Sequence, residues 1–546
     1  MSALPWPCKT VDERLVERLS AAAGIPPVLA RLLVLRGVKE PAAATVWLNP
    51  DISQLHPPAL LPDFEIAVRR IFQAIERQER ILVWGHDDLD GITAVLIMLK
   101  VLSGLQARVS FHIPTKGKDK HGLDARFVAA LPVADRPGLI ITVDCGISNH
   151  GDIEQLQAQG IDVIVTDHHE VVLPVPPAVA VVDPKRRDSD YPDPMLTGAG
   201  VALKLMIGLA QERLGLTIAQ FLSAQADLLG LVTLGTIADR APLTGENRIL
   251  VKAGFEQLLK TRLPAVRAVL DNLKTDNGQL TVGSFLSELL PLFASANGRE
   301  GVGKFLSSDT AEVQQWVQEL AVRSQEWRQE AERTLSLAQE NVRLGDGILF
   351  VQHPELSLRA LGFSAARLKD RYQLPAIVLG KRGDVWVGEC RGIEGVDLME
   401  LLQALRGFFI DFGGHKKAAG FTIRAELVPE FILAAERYAH ENFAGRIIPE
   451  NVLLADGVLP FTGFTTQVCR LAPFGEGNPE PVFISEPVRL FSRDGGIVPE
   501  SRPDLTLSPR RTGLEIVPGV PYYCLYSVDD LCRLTLIDLK PAEPGA

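Results

Sequence analysis

The sequence predicts an α/β architecture, with two α/β domains joined by a long helix and a small β domain at the C-terminal end. Three observations predict it. Short apolar runs alternate with amphipathic stretches from 81 to 182, and the same texture returns from 347 to 420. Between them, residues 311–344 contain neither Pro nor Gly and are rich in Glu, Gln, Ala, Arg and Leu, a helical composition. After Glu450 the pattern changes to short strands punctuated by Pro and Gly. At 546 residues the chain is too long for one core, and about 150 residues per domain suggests three or four.

In chain order, helical spacing over 11–23, 26–36 and 42–48 predicts a helical cap, residues 1–60, which Pro57 and Pro58 end. An amphipathic helix over 64–78 leads into the first α/β domain, residues 61–310. Its strands are expected at 81–83, 109–113, 139–143, 162–165 and 179–182, with helices at 151–159, 198–210, 224–234 and 246–261. Such βαβ texture implies a largely parallel sheet. The connecting helix takes residues 311–345, and its apolar spacing is too irregular for sustained heptads. The second α/β domain, 346–445, has strands near 347–351, 376–379 and 385–389, a helix at 398–405, the Gly-rich stretch Phe412 to Gly420, and a helix over 426–444. The β domain is 446–546.

Composition narrows the function classes. A net charge of −11 argues against a general nucleic-acid coat protein, but not against an enzyme with a local basic channel. No run approaches the ~18 apolar residues of a membrane span, and residues 1–10 lack a secretory pattern, so no membrane association is expected. The six cysteines form no CxxC pair, which indicates neither a zinc ribbon nor a disulfide framework and suits a reducing cytoplasm.

The chemistry concentrates in Trp84-Gly85-His86-Asp87-Asp88-Leu89-Asp90-Gly91, between a predicted strand and a predicted helix. His86, Asp88 and Asp90 alternate, and in extended backbone alternate side chains share one side. One imidazole with two carboxylates is a metal-ligand set in outline; an Asp-rich helix cap would look the same. Later strands end in Asp144 and in Asp167-His168-His169, and Asp239 follows another apolar stretch. Singly, these are a turn residue, a solvated His pair and a surface ion pair with Arg240. Together they sit where ligand groups gather in an open α/β sheet, at the carboxyl ends of strands. Hard oxygen donors, imidazole and a carboxylate able to bridge make a dinuclear site, and two cations suit phosphoryl chemistry without a side-chain nucleophile.

These motifs resemble those of the DHH phosphoesterases: His86-x-Asp88-x-Asp90-Gly91, Asp144, Asp167-His168-His169 and Asp239, with Gly413-Gly414-His415 similar to the signature of the associated DHHA1 domain. Within that superfamily the chain resembles the RecJ family of 5′-to-3′ single-strand-specific DNA exonucleases. Supporting stretches are Thr197 to Ala202, Gly235 to Asp239 with Glu246 to Arg248, and Ala472 to Pro481. The resemblance implies DHH and DHHA1 domains, an OB-like β domain, and two Mn2+ or Mg2+ ions. His86 and Asp88 would hold one ion, Asp90, His168 and Asp239 the other, and Asp144 would bridge. His169 would lie beside the scissile phosphate with Asp167 behind it, giving Asp144, Asp167, His168 and His169 the catalytic roles. Arg299, Arg391, Gly414, His415 and Lys116 would contact substrate.

The chain departs from the family pattern at four places. His86 and Lys116 stand where Asp and Arg are usual, Glu389 stands where the family tends to carry Ser beside a 5′-phosphate, and the tail from Arg489 lacks the expected closing strand pattern. The implied partner is single-stranded DNA, threaded between the α/β domains. A single-strand-binding protein and a RecQ-type helicase follow by family analogy, as do roles in recombination and repair. Competing readings are a phosphoesterase for short oligonucleotides, cyclic dinucleotides or pyrophosphate, and a non-catalytic scaffold. The complete ligand set disfavours the scaffold, and the N-terminal cap and residues 450–485 exceed what a small-substrate enzyme needs.

Overall fold

The computed structural model describes residues 4–115, 119–120, 122–171, 174–271, 281–293, 296, 298–393, 395–443, 453–493, 495–510 and 516–542, with backbone only for His415. It forms two compact units, Met1–Ala321 with Leu454–Ala546, and Val322–Leu453. The architecture is α/β as expected, with a separate C-terminal β-sheet.

The first unit opens with α1 (Glu13–Ala23), α2 (Pro27–Leu35) and α3 (Pro41–Leu48), then α4 (Phe64–Glu76). Asp12 caps α1 by accepting from Arg14 N and Leu15 N, and Pro stands at the first turn of α2 and α3, where its missing N–H costs nothing. The central sheet has β1 (Arg80–Trp84), β2 (Arg108–His112), β3 (Leu139–Val143), β4 (Asp162–Thr166) and β5 (Ala180–Val182), all parallel, in the order β2-β1-β3-β4-β5. Around it run α5 (Leu89–Gly104), α6 (Ala125–Ala130), α7 (His150–Ala158), α8 (Gly198–Leu214), α9 (Ile218–Ala224), α10 (Asp227–Ala238), α11 (Gly245–Leu258) and α12 (Pro264–Asp271). The segment from α13 (Val282–Ser284) through a π-helical stretch (Phe285–Leu289) to α14 (Leu290–Phe293), α15 (Gly298–Leu306) and the long α16 (Thr310–Glu340) follow.

Both faces of the sheet are buried across β1, β3, β4 and β5, which read as apolar runs, whereas the edge strand β2 exposes Arg108 and Ser110. Ile81, Val83, Leu139, Ile141 and Ile164 face a core made with α4, α5, α8 and α10. Leu82, Trp84, Ile140, Val163 and Val165 face a second core with α6 and α7. Helix α5 is apolar on nearly every side because all but its last turn is buried inside the unit.

The second unit carries a mixed sheet in the order β10-β11-β9-β8-β7-β6. Its strands are β6 (Val342–Leu344), β7 (Leu349–His353), β8 (Ala376–Arg382), β9 (Val385–Arg391), β10 (Phe409–His415) and β11 (Ala418–Arg424). Helices α17 (Leu361–Tyr372), α18 (Leu398–Ala404) and α19 (Val428–Phe443) complete it.

The C-terminal strands are β12 (Gly457–Val458), β13 (Val482–Ile484), β14 (Val488–Arg493), β15 (Gly496–Pro499), β16 (Leu507–Pro509), β17 (Pro521–Val528) and β18 (Leu534–Pro541). Because β17 pairs with both β14 and β18, and β18 also pairs with β16, five strands close into an OB-like barrel. The tail therefore contains the closing strands that its sequence pattern did not show. Pro499 and Pro509 sit at the ends of strands rather than inside them, which is where Pro is tolerated.

Phe461, Phe464, Phe474 and Phe483 are buried and pack with Leu29, Leu32, Leu33 and Trp47 of the N-terminal helices. They are core residues, and the N-terminal helices and the barrel share one core although more than 400 residues separate them in sequence. A second difference from the sequence-based expectation is a disulfide between Cys469 and Cys532, which lie 63 residues apart. No local motif marks the pair; barrel closure brings the turn at Thr466–Leu471 beside the β17–β18 hairpin. No single described helix is long and apolar enough to cross a membrane.

Candidate metal centre

The chain runs from β1 outward to β2, then returns to place β3 on the other side of β1. The gap beyond the carboxyl ends of β1 and β3 is thus the topological switch point, where an open α/β sheet leaves a crevice. His86 and Asp88 follow β1, and Asp144 follows β3 directly. Asp144 takes a positive φ of 57°, a conformation few non-Gly residues adopt, and one that a local function can explain. Asp167, His168 and His169 follow β4, and Asp239 ends α10.

Among the described residues three groups could hold a cation: His86, Asp88 and Asp144; Asp90, His168 and Asp239; and Asp144, His168 and His169. In each, the ligand atoms lie within 4.8 Å of one another. The two oxygens of Asp144 face different groups: Oδ1 is 3.0 Å from His168 Nε2 and Oδ2 is 3.8 Å from His86 Nδ1. His86 Nδ1 is also 2.9 Å from Asp88 Oδ2, and His168 Nε2 is 3.8 Å from Asp90 Oδ2.

Backbone donors hold the carboxylates in place. Asp90 accepts from Gly198 N at 2.7 Å and Ala199 N at 3.0 Å, the first two residues of α8, where helix N–H groups lack internal partners. Asp88 caps α5 through Gly91 N at 2.9 Å, so the capping reading and the ligand reading describe the same residue. Asp167 accepts from Ile147 N at 3.0 Å and His168 N at 2.7 Å, and its Oδ1 lies 2.7 Å from His169 Nδ1.

Burial, followed by the charges of neighbouring aspartates, pushes Asp90 and Asp144 well above the usual carboxylate range. Burial and Asp88 raise Asp239 to about 6. Burial and the charge of His169 lower His168 to about 3, leaving the neutral imidazole that metal binding requires. Burial also opposes charge on His169, but the hydrogen bond and charge of Asp167 outweigh it and lift His169 to about 9. Asp167, despite burial, is held at about 2 by His169 and its other donors. A bound cation would offset carboxylates crowded at this cost. The buried Oδ2 of Asp144 has no hydrogen-bond partner among the described residues. Oxygen and imidazole donors without thiolate fit Mn2+ or Mg2+.

The expected substrate-contacting residues are placed as follows. Arg299 is the second residue of α15; burial and then the charge of Arg299 lower His112, at the end of β2, to about 4. Gly298, which precedes it, donates to Asp87 Oδ1 at 2.8 Å, so the motif residue between two candidate ligands caps a different helix. Lys116 lies outside the described residues. In the second unit, Arg391 Nη1 is 3.0 Å from Glu389 Oε2, so the acid that departs from the family pattern pairs with the neighbouring Arg. Gly414 has φ 139°, and a Cβ there would lie 2.5 Å from the Ala418 carbonyl oxygen; the β10–β11 hairpin itself requires this glycine. His415 ends β10.

Residues 80–236 match the DHH family, N-terminal domain, and residues 345–441 match the DHHA1 domain. The single-stranded-DNA-specific exonuclease RecJ of Escherichia coli (strain K12) is 30% identical over 500 residues, covering 86% of this chain and 84% of that protein. The chain belongs to the RecJ family of single-stranded-DNA-specific exonucleases. The RecJ of Bacillus subtilis (strain 168) is 31% identical over 498 residues, 89% of this chain, which spans 62% of that relative's length. The crystal structure of RecJ from Thermus thermophilus in complex with Mn2+ superposes with a TM-score of 0.80 at 26% identity, covering 98% of this chain and 80% of that one.

Within the RecJ framework, sequence reading did not find Asp87, Asp183, Lys185 or the backbone donors of α8. Asp87 lay in plain view inside the motif, but its direction is not encoded by spacing. Asp183 and Lys185 follow β5, at the same end of the sheet as the other groups.

Proposed function

We propose that this protein hydrolyses single-stranded DNA from the 5′ end to 5′-mononucleotides, with two Mn2+ or Mg2+ ions, in recombination and repair. The observation that carries this reading is the division of the Asp144 carboxylate between two ligand groups at the switch point of a RecJ-family sheet. His86 and Asp88 would hold one cation, Asp90, His168 and Asp239 the other, and Asp144 would contribute to both. When bound, the pair polarises the scissile phosphate and makes water acidic enough to attack it near neutral pH.

The protein's own groups do the rest. The α8 N-terminus fixes the orientation of Asp90 through two N–H groups. Asp167 orients His169 through Nδ1 and favours its protonated form, from which Nε2–H would donate to the scissile phosphate as negative charge develops. Arg299, and in the second unit Arg391, Gly414 and His415, contact the strand. The cytoplasm is the compartment, and a single-strand-binding protein and a RecQ-type helicase are partners by analogy, to be sought by co-purification.

The test is digestion of single-stranded and duplex DNA labelled at either end, with and without metal. Metal-dependent release from the 5′ end of single strands is expected. Attack from the 3′ end, or equal digestion of duplex, overturns the reading.

A further inference from the structure

The loaded centre has a charge problem that its ligands do not solve. Asp88, Asp90, Asp144 and Asp239 stand in the candidate ligand groups, and Asp167 lies behind His169. Two divalent cations offset only four of these five carboxylates. The centre must still attract a phosphodiester anion.

A further cation stands at its rim. Strands β4 and β5 run parallel with Thr166 opposite Val182, and Asp167 N continues the pairing to Val182 O at 3.2 Å. Beyond Val182 the chain leaves the strand in a turn, and Lys185 points its ammonium to Glu170, the residue after His169. Its backbone is fixed, because Asp183 Oδ1 accepts from Lys185 N at 2.8 Å and Asp183 is fully buried. Its side chain is 20% exposed, and among the described residues its ammonium has one ion-pair partner, Glu170 Oε1, at 3.7 Å. That separation is too long for a hydrogen bond, and Glu170 is 80% exposed. A pair with one partner this exposed is screened by water and holds the lysine weakly. The charge of Lys185 is felt by His168, Asp183 and Asp239, each of which it lowers. A mostly buried lysine side chain, weakly held just past β5 beside the candidate metal centre, is a phosphate ligand in waiting.

We propose that Lys185 contacts a non-bridging oxygen of the substrate backbone next to the metal centre, and that Glu170 is the weak partner it leaves to do so. The proposal rests on the phosphodiesterase reading above. It predicts opposite effects for the two members of the pair, which a surface salt bridge does not.

The experiment compares the full chain with Lys185→Gln, Lys185→Arg and Glu170→Gln. Readouts are KM and kcat on 5′-labelled single-stranded DNA with Mn2+, DNA binding by fluorescence anisotropy in Ca2+ across a salt series, and Mn2+ affinity by calorimetry. Lys185→Gln should weaken DNA binding and raise KM by about three- to tenfold, and flatten the log–log salt dependence by about one unit. It should leave Mn2+ binding unchanged or tighter. Lys185→Arg should restore binding, and Glu170→Gln should strengthen it. Wild-type binding and salt slope in Lys185→Gln, or parallel losses in Lys185→Gln and Glu170→Gln, would overturn the proposal. Weaker Mn2+ binding in Lys185→Gln would show a structural role and overturn it equally. Absence of metal-dependent cleavage by the wild type would instead refute the phosphodiesterase reading, and the anisotropy comparison would still decide Lys185.

Discussion

Replacing Gly198 by Ala separates a metal centre assembled by tertiary packing from one that is merely written in the sequence. Gly198 is the first residue of α8, and its φ lies outside the left-handed region. By helix propensity alone, Ala should be better there by up to about 1 kcal/mol. The structure predicts the reverse. A Cβ on Gly198 would sit 2.5 Å from Asp144 Cβ and 2.9 Å from its carboxyl carbon. Ordinary contact needs roughly 1 Å more, so either the α8 N-terminus or Asp144 must move by about that much. Moving the helix also pulls Gly198 N and Ala199 N away from Asp90. Metal geometry tolerates about 0.2 Å, and a displacement of about 1 Å near reacting groups costs about a hundredfold in rate, or roughly 2.7 kcal/mol of barrier. The assay is Mn2+-dependent nucleotide release from 5′-labelled single-stranded DNA, with Mn2+ affinity by calorimetry and thermal unfolding as the check on folding. A folded Gly198→Ala protein with activity within twofold of wild type and unchanged Mn2+ affinity would refute the reasoning.

Other expectations follow from the same geometry. Chelation should abolish cleavage and added Mn2+ or Mg2+ should restore it, whereas Asp144→Ala should stay inactive at any metal concentration because both ligand groups lose an oxygen; activity that survives would reject the site. Asp167→Asn keeps the side chain's size but removes the charge that holds His169, so kcat should fall by about 10- to 100-fold while circular dichroism stays unchanged. Lys204 and Glu246 are both fully buried and pair at 2.8 Å, and Glu246 also accepts from His56 N at 2.7 Å. Lys204→Met leaves that carboxylate without its cation and should lower stability by about 3–5 kcal/mol in urea unfolding; a loss below about 1 kcal/mol would show that the charge is compensated elsewhere.

Sequence alone settled whatever depends on neighbours along the chain. Four of the five strands of the first sheet were legible because parallel strands buried on both faces must be short apolar runs; the edge strand β2 instead alternates exposed Arg108 and Ser110 with more buried Val109 and Phe111. The site candidates were legible because, in such a sheet, side chains just past the strand ends converge. The alternation of His86, Asp88 and Asp90 belongs to the same class of information.

What depends on distant segments meeting in space was decided by tertiary structure. The closing pair β17 and β18 bury their apolar residues against helices near the N-terminus, and no local window contains both partners. The Cys469–Cys532 disulfide is another product of barrel closure. Asp87 turned away from the cluster to cap α15, although its place in the motif is indistinguishable from that of its neighbours. Gly198 reads in sequence as an ordinary helix start, yet it must be glycine because β3 delivers Asp144 against it. Composition and spacing could name the ligands; only packing could say which oxygen of Asp144 faces which histidine, because that is set by backbone conformation at a strand end and by a helix more than 50 residues further along.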